Sequence, residues 1–530
     1  MNRRLPSALL IQQASLSTVD VESVRAEIAY LSRQIECEEP GNQHLRSLRT
    51  EYQRLLSPFH RLPNELLSMI MFYAVRQNVF AWTPGLCKSD AQKLSGVCRR
   101  WRDVAMMTWS LWSRITMLVF FSNDYPDRAI EQLRNHLTRS RNAPLDLVVE
   151  FVEESRDLVQ IEGFSSPALD LLLEESHRWR SLQYVQAQFG AVEHDLFLDK
   201  VFETAPPVVS LEIQLDGALR DTIPPSVLPI SRLPKLRSFR LSKTSLQLAS
   251  TIPASFQSLT HISLETSAHD AMFALNSLKN VTSAELVLGM NDSSTTENKD
   301  RFSSPTLHSL SLQPSKLDSS LTGVSLFLSR TSFPRLSSLS LVNNELLNPS
   351  THVELTNALT DFVLVSGNWR TIRTLRVVDF PLKDVDLFDV LTYMQHLKAL
   401  EVQQSGRLED CPLLTLKLLG LLNTWPPGSR DFGRVAPGIQ YLSFSAITDR
   451  SWYFNVFENM IQSRVRFGLQ SVFLRLRDGS ERLDLGKLER LNRDDVAVRV
   501  VDGGGREIVR YWGKMRVGLR KNCWRDLLTC

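Results

Sequence analysis

The feature that most constrains the fold of this chain is a short pattern, apolar-x-x-apolar-x-apolar, that recurs from about residue 180 onward. Clear copies are LPKLRSFRL, FQSLTHISL, PTLHSLSL, FPRLSSLSL, WRTIRTLRV, MQHLKALEV, GIQYLSF and GLQSVFL, and weaker copies are VVSLEI and VTSAEL. Successive copies start 22 to 42 residues apart. The second half of each copy alternates apolar and polar residues, as does a strand with one buried face. The pattern therefore predicts many short strands separated by helices and loops.

These copies all run in one direction, with intervals that overlap the period of leucine-rich repeats, which they resemble. The resemblance implies that neighbouring strands stack into a parallel sheet with their leucines inside. Only LSSLSLVNNEL carries the asparagine of that family, at Asn344. We therefore expect an irregular leucine-rich-repeat solenoid over residues 121–475. The alternative is an ordinary α/β domain in which the matches arise by chance.

The strand face of such an array is a binding surface, and the x positions of the pattern point out from it. Most of these positions are small and polar, but two copies carry basic pairs that would attract an acidic or phosphorylated target. A merely solvated surface is the alternative for any one of them. The candidate target-binding residues are Arg237, Arg240, His261, His308, Arg373 and Arg376.

Two amphipathic series occupy the first part of the chain. Apolar residues recur in steps of three and four, as in a coiled-coil seam, on both sides of Pro40-Gly41. The first series is Val21, Val24, Ile28, Leu31 and Ile35, and the second is Leu45, Leu48, Tyr52 and Leu55. Residues 1–57 are therefore predicted to form a coiled-coil-like helical hairpin. It would pack on itself or on the next domain, and self-association is the alternative.

Residues 60 to 105 predict further helices with one apolar face. Pro63 suits the first turn of a helix, where its missing N–H is not needed. An i, i+3, i+4 stripe follows, comprising Leu66, Leu67, Ile70, Met71 and Ala74. Residues 76–88 are predicted to be a loop, and Ser89 resembles the N-cap of the next helix.

That next helix is expected to continue through residue 105 with an apolar face and a charged face. The apolar face comprises Leu94, Val97, Cys98, Trp101, Val104 and Ala105, and the charged face comprises Lys93, Arg99, Arg100, Arg102 and Asp103. Among apolar neighbours, Cys98 is a small hydrophobic residue and not a nucleophile.

These residues resemble the F-box. The match consists of Leu62-Pro63-x-Glu65-Leu66-Leu67-x-x-Ile70, then Leu94-x-x-Val97-Cys98-Arg99-Arg100-Trp101-x-x-x-Ala105, then Leu111-Trp112. The F-box is usually more compact between its two halves, so the loop at 76–88 is interpreted as an insertion. With that loop, the hairpin, and the segments SRNAPLDLVVE and SHRWRSL, the chain resembles the F-box family of mushroom-forming fungi.

The resemblance implies a three-helix F-box at residues 58–120 that docks on the Skp-type linker subunit of a cullin-based SCF ubiquitin ligase. Three short helices have little interior, so part of an apolar stripe can remain free for a partner. The residues matching the docking motif are Leu62, Pro63, Leu66, Leu67, Ile70, Val97, Cys98 and Trp101.

The function implied is that of a substrate-recognition adaptor, in which the F-box holds the linker and the repeats hold a target protein. A non-ligase interaction scaffold is the alternative, because of the inserted loop. A nucleic-acid-associated protein is a third reading, based on Arg99, Arg100 and the basic stretch RYWGKMRVGLRKNCWRD. Residues 476–530 are predicted to be a cap or tail, with two strands around Gly503-Gly504-Gly505.

The bulk composition narrows these alternatives. The formal net charge of +3 is too small to argue for bulk binding to nucleic acid or to a membrane surface. Six cysteines are scattered without a metal-binding or disulfide spacing, and no stretch has the length of a membrane span. Phosphate-loop, dinucleotide, metalloprotease and serine-hydrolase motifs are also absent. We therefore expect a cytoplasmic or nuclear protein without catalytic activity, metal or cofactor.

Overall fold

The computed structural model divides the chain into two compact units. The first comprises Met1–Glu154 and Gly163–Arg180, and the second comprises Ser155–Glu162 and Ser181–Cys530. The structure describes residues 18–37, 43–56, 62–75, 78–81, 88–120, 127–152, 166–186, 195–215, 230–242, 258–289, 301–315, 321–343, 352–364, 370–404, 415–423, 435–447, 451–465, 467–476, 496–501 and 507–511.

The first unit begins with two helices, α1 (Thr18–Cys37) and α2 (Gln43–Leu56), which pack against each other. Val24 and Leu31 of the predicted apolar seam are buried, because seven residues are about two helical turns and place both side chains on one face. Pro40 and Gly41 lie outside the described residues. The apolar spacing therefore correctly predicted both helices.

Three short helices follow and share a core. They are α3 (Asn64–Ala74), α4 (Asp90–Ser95) and α5 (Arg99–Met107), with a single 3-10 turn at Trp109–Leu111. Their buried side chains form one apolar cluster: Leu67, Met71, Val75, Ala91, Val104, Ala105, Leu111 and Trp112. The indole N–H of Trp112 donates to the Ala105 carbonyl at 2.8 Å, so the largest side chain of this core is also fixed in orientation.

The segment predicted to be a loop between α3 and α4 contains two strands, so that prediction was wrong. β1 (Asn78–Ala81) pairs in parallel with β3 (Arg114–Phe120), and β2 (Lys88–Ser89) pairs antiparallel to β1. Residues 82–87 lie outside the described residues. Only four residues of β1 form the strand, which is too short for an alternating pattern to reveal it.

The fully buried Asn78 joins this insertion to the core. Its amide nitrogen donates to the carbonyls of Leu111 (2.8 Å) and Arg114 (3.0 Å). Its amide oxygen accepts from the Ser89 hydroxyl at 3.0 Å and from the Ala91 N–H at 3.3 Å. One side chain therefore joins both strands of the insertion to α4 and β3.

The first unit continues past the predicted end of the F-box at residue 120. α6 (Asp127–Ser140) packs on β1, β4 (Leu145–Val152) pairs in parallel with β3, and α7 (Pro167–Glu174) packs on α6. A 3-10 turn at Ser176–Arg178 leads to β5 (Trp179–Gln186). The Arg178 guanidinium is buried and donates to the Leu137 and Ala143 carbonyls and to the Ser140 hydroxyl, which ties this turn to the end of α6.

The second unit is built around a large parallel sheet, as the repeated pattern predicted. From the Ser181 end of β5, each strand pairs with the next: β6 (Ser210–Leu215), β7 (Ser238–Ser242), β8 (His261–Ser267), β9 (Ser283–Gly289), β11 (Ser309–Pro314), β13 (Ser338–Val342), β14 (Thr374–Val378), β15 (Ala399–Gln403), β16 (Tyr441–Ile447), β17 (Ser471–Leu476) and β18 (Ala497–Val501). β10 (Phe302–Ser303) and β12 (Thr331–Ser332) form a separate two-stranded ladder.

The apolar positions of the pattern coincide in register. The first apolar residue of each strand lies opposite the first apolar residue of the next strand, so these side chains form one buried row. Its members are Leu211, Phe239, Ile262, Ala284, Leu310, Leu339, Leu375, Leu400, Leu442 and Val472. Since a one-residue slip would turn every such side chain to the opposite face, the buried row fixes the register. Asn344 lies outside the described residues.

Helices lie in the connections between strands of this sheet. They are α8 (Asp195–Thr204), α9 (Ala268–Ser277), α10 (Thr322–Arg330), α11 (His352–Leu364), α12 (Asp384–Tyr393), α13 (Leu416–Leu422) and α14 (Ser451–Val465). From α9 to α14, each helix packs on the next. The buried Arg464 of α14 donates to the carbonyls of Leu422, Val435 and Ala436, which fastens the connection around residue 435.

The last two described strands run in opposite directions. β18 pairs antiparallel with β19 (Glu507–Tyr511), as the sequence of residues 496–513 predicted. Gly503–Gly505 and the basic stretch after Tyr511 lie outside the described residues. Among the described helices, none is both long and apolar enough to cross a membrane.

Candidate partner-docking surfaces

Helix α3 is apolar on two faces. Leu67 and Met71, with Val75 just after the helix, point into the core and are at most 2% exposed. The other face carries Leu66, Met69, Ile70 and Tyr73, whose exposed fractions are 47, 53, 42 and 77%. A surface helix normally presents polar residues on its outer face. The outer face of α3 therefore has the composition of a surface that a partner covers.

The start of α3 is fixed by a buried cation. Pro63 caps the helix and stays exposed, and the Leu67 N–H donates to its carbonyl at 3.0 Å. The Arg100 guanidinium of α5 donates to the Leu62 carbonyl and to Asn64 Oδ1, the latter at 3.0 and 3.2 Å. Arg100 was predicted on a solvated face, but it is buried and joins α5 to α3.

The predicted continuous helix through residue 105 is interrupted. α4 ends at Ser95, and α5 begins at Arg99. Gly96 closes α4, because glycine is a poor helix former. The Cys98 thiol sulfur then accepts from the Trp101 N–H at 3.5 Å and caps α5. Cys98 is therefore a half-buried cap, and the turn leaves Val97 60% exposed.

The structure places the residues of the docking motif in three environments. Pro63, Leu66, Ile70 and Val97 are exposed, whereas Leu62, Cys98 and Trp101 are half-buried. Trp101 packs against the core cluster. Leu67 is fully buried, so in this structure it stabilises the helices instead of facing a partner.

Further exposed apolar side chains lie close by in the chain. Of the fifteen exposed large hydrophobic side chains among the described residues, eight lie between residues 59 and 118. Five of the eight were not singled out from the sequence: Met69, Tyr73, Met106, Met107 and Trp109. Helical spacing from Leu66 and Ile70 would have revealed Met69 and Tyr73. Such a concentration makes this part of the unit a candidate interaction surface.

A cleft of about 390 Å³ lies beside the second half of α3. Exposed Met69 and Tyr73 line it together with the ring of Phe72. Two arginines also line it, Arg114 at the start of β3 and Arg180 in β5. The remaining lining residues are Ser68, Thr108, Ser110, Ser113, Ala143 and Pro144.

Two of the predicted target-binding arginines in the second unit are already paired. Arg240 forms ion pairs with Glu285 of β9 at 3.1 Å and with Glu212 of β6 at 3.9 Å. Arg376 pairs with Glu401 of β15 at 3.3 Å. These arginines therefore neutralise carboxylates one or two strands away and offer a target less charge than expected.

The other predicted target contacts are exposed at the start of their strands. Arg237, His261, His308 and Arg373 all lie there. The His261 ring nitrogen Nδ1 lies 2.8 Å from Thr260 Oγ1, and His308 Nδ1 lies 2.6 Å from the Thr306 carbonyl. Both rings are thus locally oriented by the segment that precedes their own strand.

A further cation, Lys398, adjoins Arg373. The Arg373 carbonyl accepts from the N–H groups of Lys398 (2.7 Å) and Ala399 (2.9 Å), so the two residues are neighbours across β14 and β15. Both are exposed, and no described carboxylate forms an ion pair with either. Lys398 occupies the same position of the pattern as Arg373, so aligning all the copies would have found it.

One buried titratable group of the first unit is His136. The imidazole of His136 contacts the rings of Phe80 and Trp112, and its Nε2 lies 2.8 Å from the Ser89 hydroxyl. Burial lowers the pKa of His136 to about 4, against a smaller opposing effect of its hydrogen bond to the Gln132 carbonyl. His136 is therefore neutral at pH 7 and acts as part of the core.

Comparison with known proteins gives one assignment. Residues 59–118 match the family model described as F-box-like, so this part of the first unit, containing α3 to α5, is an F-box-like domain. The match covers the exposed face of α3 and the buried Trp112. No curated protein matches the chain.

Proposed function

We propose that this protein is a substrate-recognition adaptor of an SCF-type, cullin-based ubiquitin ligase. The observation that carries the proposal is the exposed apolar face of α3, within the segment that matches the F-box-like model. F-box domains in general bind a Skp-type linker subunit. In this proposal the linker covers Leu66, Ile70 and Val97, and the chain contributes proximity between a target and the ligase instead of catalysis.

The energetics of the exposed face support a partner there. Leu66, Met69 and Ile70 are each more than two-fifths exposed, and apolar area removed from water contributes about 25 cal/mol per Å². An interface of roughly 800 Å² per partner is typical of a stable complex. Because the core below this face is already closed by Leu67 and Met71, covering it requires no rearrangement of α3.

We further propose that the second unit is an irregular leucine-rich-repeat solenoid whose strand face binds the target protein. The in-register buried rows and the one-directional strand order support this reading, because stacked repeats bury a continuous core and leave the outer strand positions free. On that face, Arg373 and Lys398 are the adjacent cations without a described carboxylate partner. They suit a target that carries an acidic or phosphorylated segment.

Two observations weigh against the alternatives considered from the sequence. A non-ligase scaffold was suggested by the insertion before α4, but β1 and β2 pair with the sheet and leave Leu66 and Val97 exposed. Nucleic-acid binding through Arg100 conflicts with its burial and its hydrogen bonds to the start of α3.

The proposal is tested with a substitution on the exposed face of α3. The full chain is co-expressed with a Skp-type linker and purified through a tag on the linker. Leu66→Asp places a charge in the proposed interface but not in the core, since Leu66 is 47% exposed. We expect the intact chain to co-purify and the variant to be lost. The pull-down measures this directly.

Leu364→Asp is the matched control. Leu364 ends α11 in the second unit and is 38% exposed, so the same substitution is made at a similar exposure outside the F-box-like segment. The control variant should bind the linker as the intact chain does, and circular dichroism should show equal folding for both variants. Failure of the intact chain to bind the linker would refute the adaptor role.

A further inference from the structure

The cleft beside α3 continues the proposed docking face. Met69 and Tyr73 line the cleft, and they follow Leu66 and Ile70 at a spacing of three residues, which keeps all four on one side of the helix. A partner that lies along the exposed face of α3 therefore also covers the mouth of the cleft. The chemistry of the cleft then restricts what the partner presents there.

The two arginines that line the cleft differ in their carboxylate contacts. Arg114 in β3 lies opposite Asp146 in the strand register of β4. Both carboxylate oxygens of Asp146 accept from Arg180, one of them from Nε at 2.8 Å. These hydrogen bonds to Asp146 raise the pKa of the Arg180 guanidinium. Arg180 therefore pairs with both oxygens of the Asp146 carboxylate.

Arg114 is left with an aromatic contact. Its guanidinium carbon lies 4.1 Å from the centroid of the Phe72 ring. Among the described residues, no carboxylate forms an ion pair with Arg114. The Phe72 ring holds the guanidinium in place, and a cation over an aromatic face keeps its N–H edges available for an acceptor. The cleft therefore has an apolar wall and one oriented cation with which no carboxylate of the described residues forms an ion pair.

A partner that covered this cation without an anion would leave a charge removed from water and unpaired, which is strongly unfavourable. We propose that an acidic side chain of the linker subunit enters the cleft and pairs with Arg114, completing a row of alternating charges with Asp146 and Arg180. This inference rests on the proposed adaptor function, and it names the chemistry that the linker presents at the end of α3. Arg114 acts as a specificity determinant in addition to the apolar contacts of Leu66 and Ile70.

The test compares linker binding by full-length variants of Arg114. Arg114→Gln removes the charge, and Arg114→Met removes it while keeping an unbranched stem against Phe72. Losing one member of a partly buried charge pair should weaken linker binding about ten-fold in both variants. Arg128→Gln is the matched control, because Arg128 is exposed on α6 and does not line the cleft. The dissociation constants are measured by calorimetry at low and high salt.

A double-mutant cycle identifies the partner group. Each Asp and Glu of the linker is changed to its amide, and we expect one such change to weaken binding to the intact chain but not to the Arg114→Met variant. Unchanged affinity of both Arg114 variants, with binding still abolished by Leu66→Asp, would overturn the inference and leave the adaptor function standing. No binding by the intact chain would remove both.

Discussion

At the scale of single residues, His136 shows how a buried polar group is tolerated in the core of the first unit. Its Nδ1 lies 2.9 Å from the Gln132 carbonyl, which can only accept, so the proton of the neutral ring lies on Nδ1. Nε2, at 2.8 Å, and Asn78 Oδ1, at 3.0 Å, then share the single proton of the Ser89 hydroxyl as acceptors. Desolvation outweighs these contacts and keeps the ring neutral.

The lowered pKa predicts a loss of stability in mild acid. The folded value of about 4 lies below the ordinary value of 6.5, so the unfolded chain takes up the proton first as the pH falls. Above about pH 7 the His136 ring is neutral in the folded and the unfolded chain and costs no stability. As the pH falls from 6.5 to about 4, protonation of the unfolded chain lowers the free energy of unfolding. The contribution of this group at pH 5 is about −2 kcal/mol, from roughly 1.4 kcal/mol per pKa unit. Hydrogen exchange of residues 127–140, corrected for intrinsic rates, measures it.

A variant separates His136 from other titrating groups. His136→Phe removes the titration, so its stability should change less between pH 7.5 and 5 than that of the intact chain. His261→Phe removes an exposed histidine and should preserve the acid sensitivity of residues 127–140. Equal acid sensitivity in the intact chain and in His136→Phe would contradict the assignment.

Residue-scale prediction from sequence succeeded for burial patterns and failed for charge partners. The leucines of the repeated pattern are buried as expected, because alternation alone decides their face. The inward orientation of Arg100 depends on the Leu62 carbonyl, 38 residues away, which no local pattern reveals. The pairing of Arg240 with Glu212 and Glu285 was readable in principle, because all three occupy the same position in their copies.

At the scale of elements, the insertion before α4 is part of the folded unit. β1 is held by β3 on one side and β2 on the other, and Asn78 supplies four hydrogen bonds from one buried amide. The sequence predicted the helix that starts after Ser89 from the capping pattern at that residue. In the structure the Ser89 hydroxyl accepts from the Gln92 N–H at 3.0 Å, as an N-cap does. It missed the strands, because their stability comes from distant partners.

Asn78→Ala tests whether the insertion is structural. The substitution leaves the Leu111 and Arg114 carbonyls and the Ala91 N–H without their partner. Each buried group left unpaired costs about 1–3 kcal/mol, so we expect a loss of about 3 kcal/mol or more in local stability. Hydrogen exchange of residues 88–120, followed by mass spectrometry, reports this change.

Asn135→Ala provides the comparison for that measurement. Asn135 is exposed on α6, so its removal should change the stability of the same segment by less than about 0.5 kcal/mol. If both variants exchange alike, Asn78 does not anchor the insertion, and the exposed face of α3 does not depend on β1 and β2.

At the scale of the whole molecule, the two compact units divide the proposed work. The first presents apolar side chains on α3 and the turn after α4, and the second presents a polar strand face with adjacent cations at Arg373 and Lys398. The repeated pattern predicted the parallel sheet from sequence because each copy contributes one strand in the same register. The boundary at Arg180 was not readable, since β3 and β4 carry no signal that assigns them to the helices before them.

This division predicts that the two surfaces can be disabled separately. Reversing both charges in Arg373→Glu with Lys398→Glu should leave linker binding intact and prevent capture of an acidic target. Cells lacking the protein are complemented with each variant, and ubiquitylated proteins are compared under proteasome inhibition. Proteins that lose ubiquitylation in cells lacking this protein should also stay unmodified in cells complemented with this variant, because like charges repel the acidic segment.

The matched double reversal is Arg232→Glu with Lys235→Glu. Both residues are exposed but precede β7 instead of lying on the strand face, so the net charge changes equally while the proposed surface is untouched. This variant should restore target modification to the level of the intact chain. If both double variants restore it, target binding does not use Arg373 and Lys398. If neither does while both retain the linker, net charge and not the strand face governs capture.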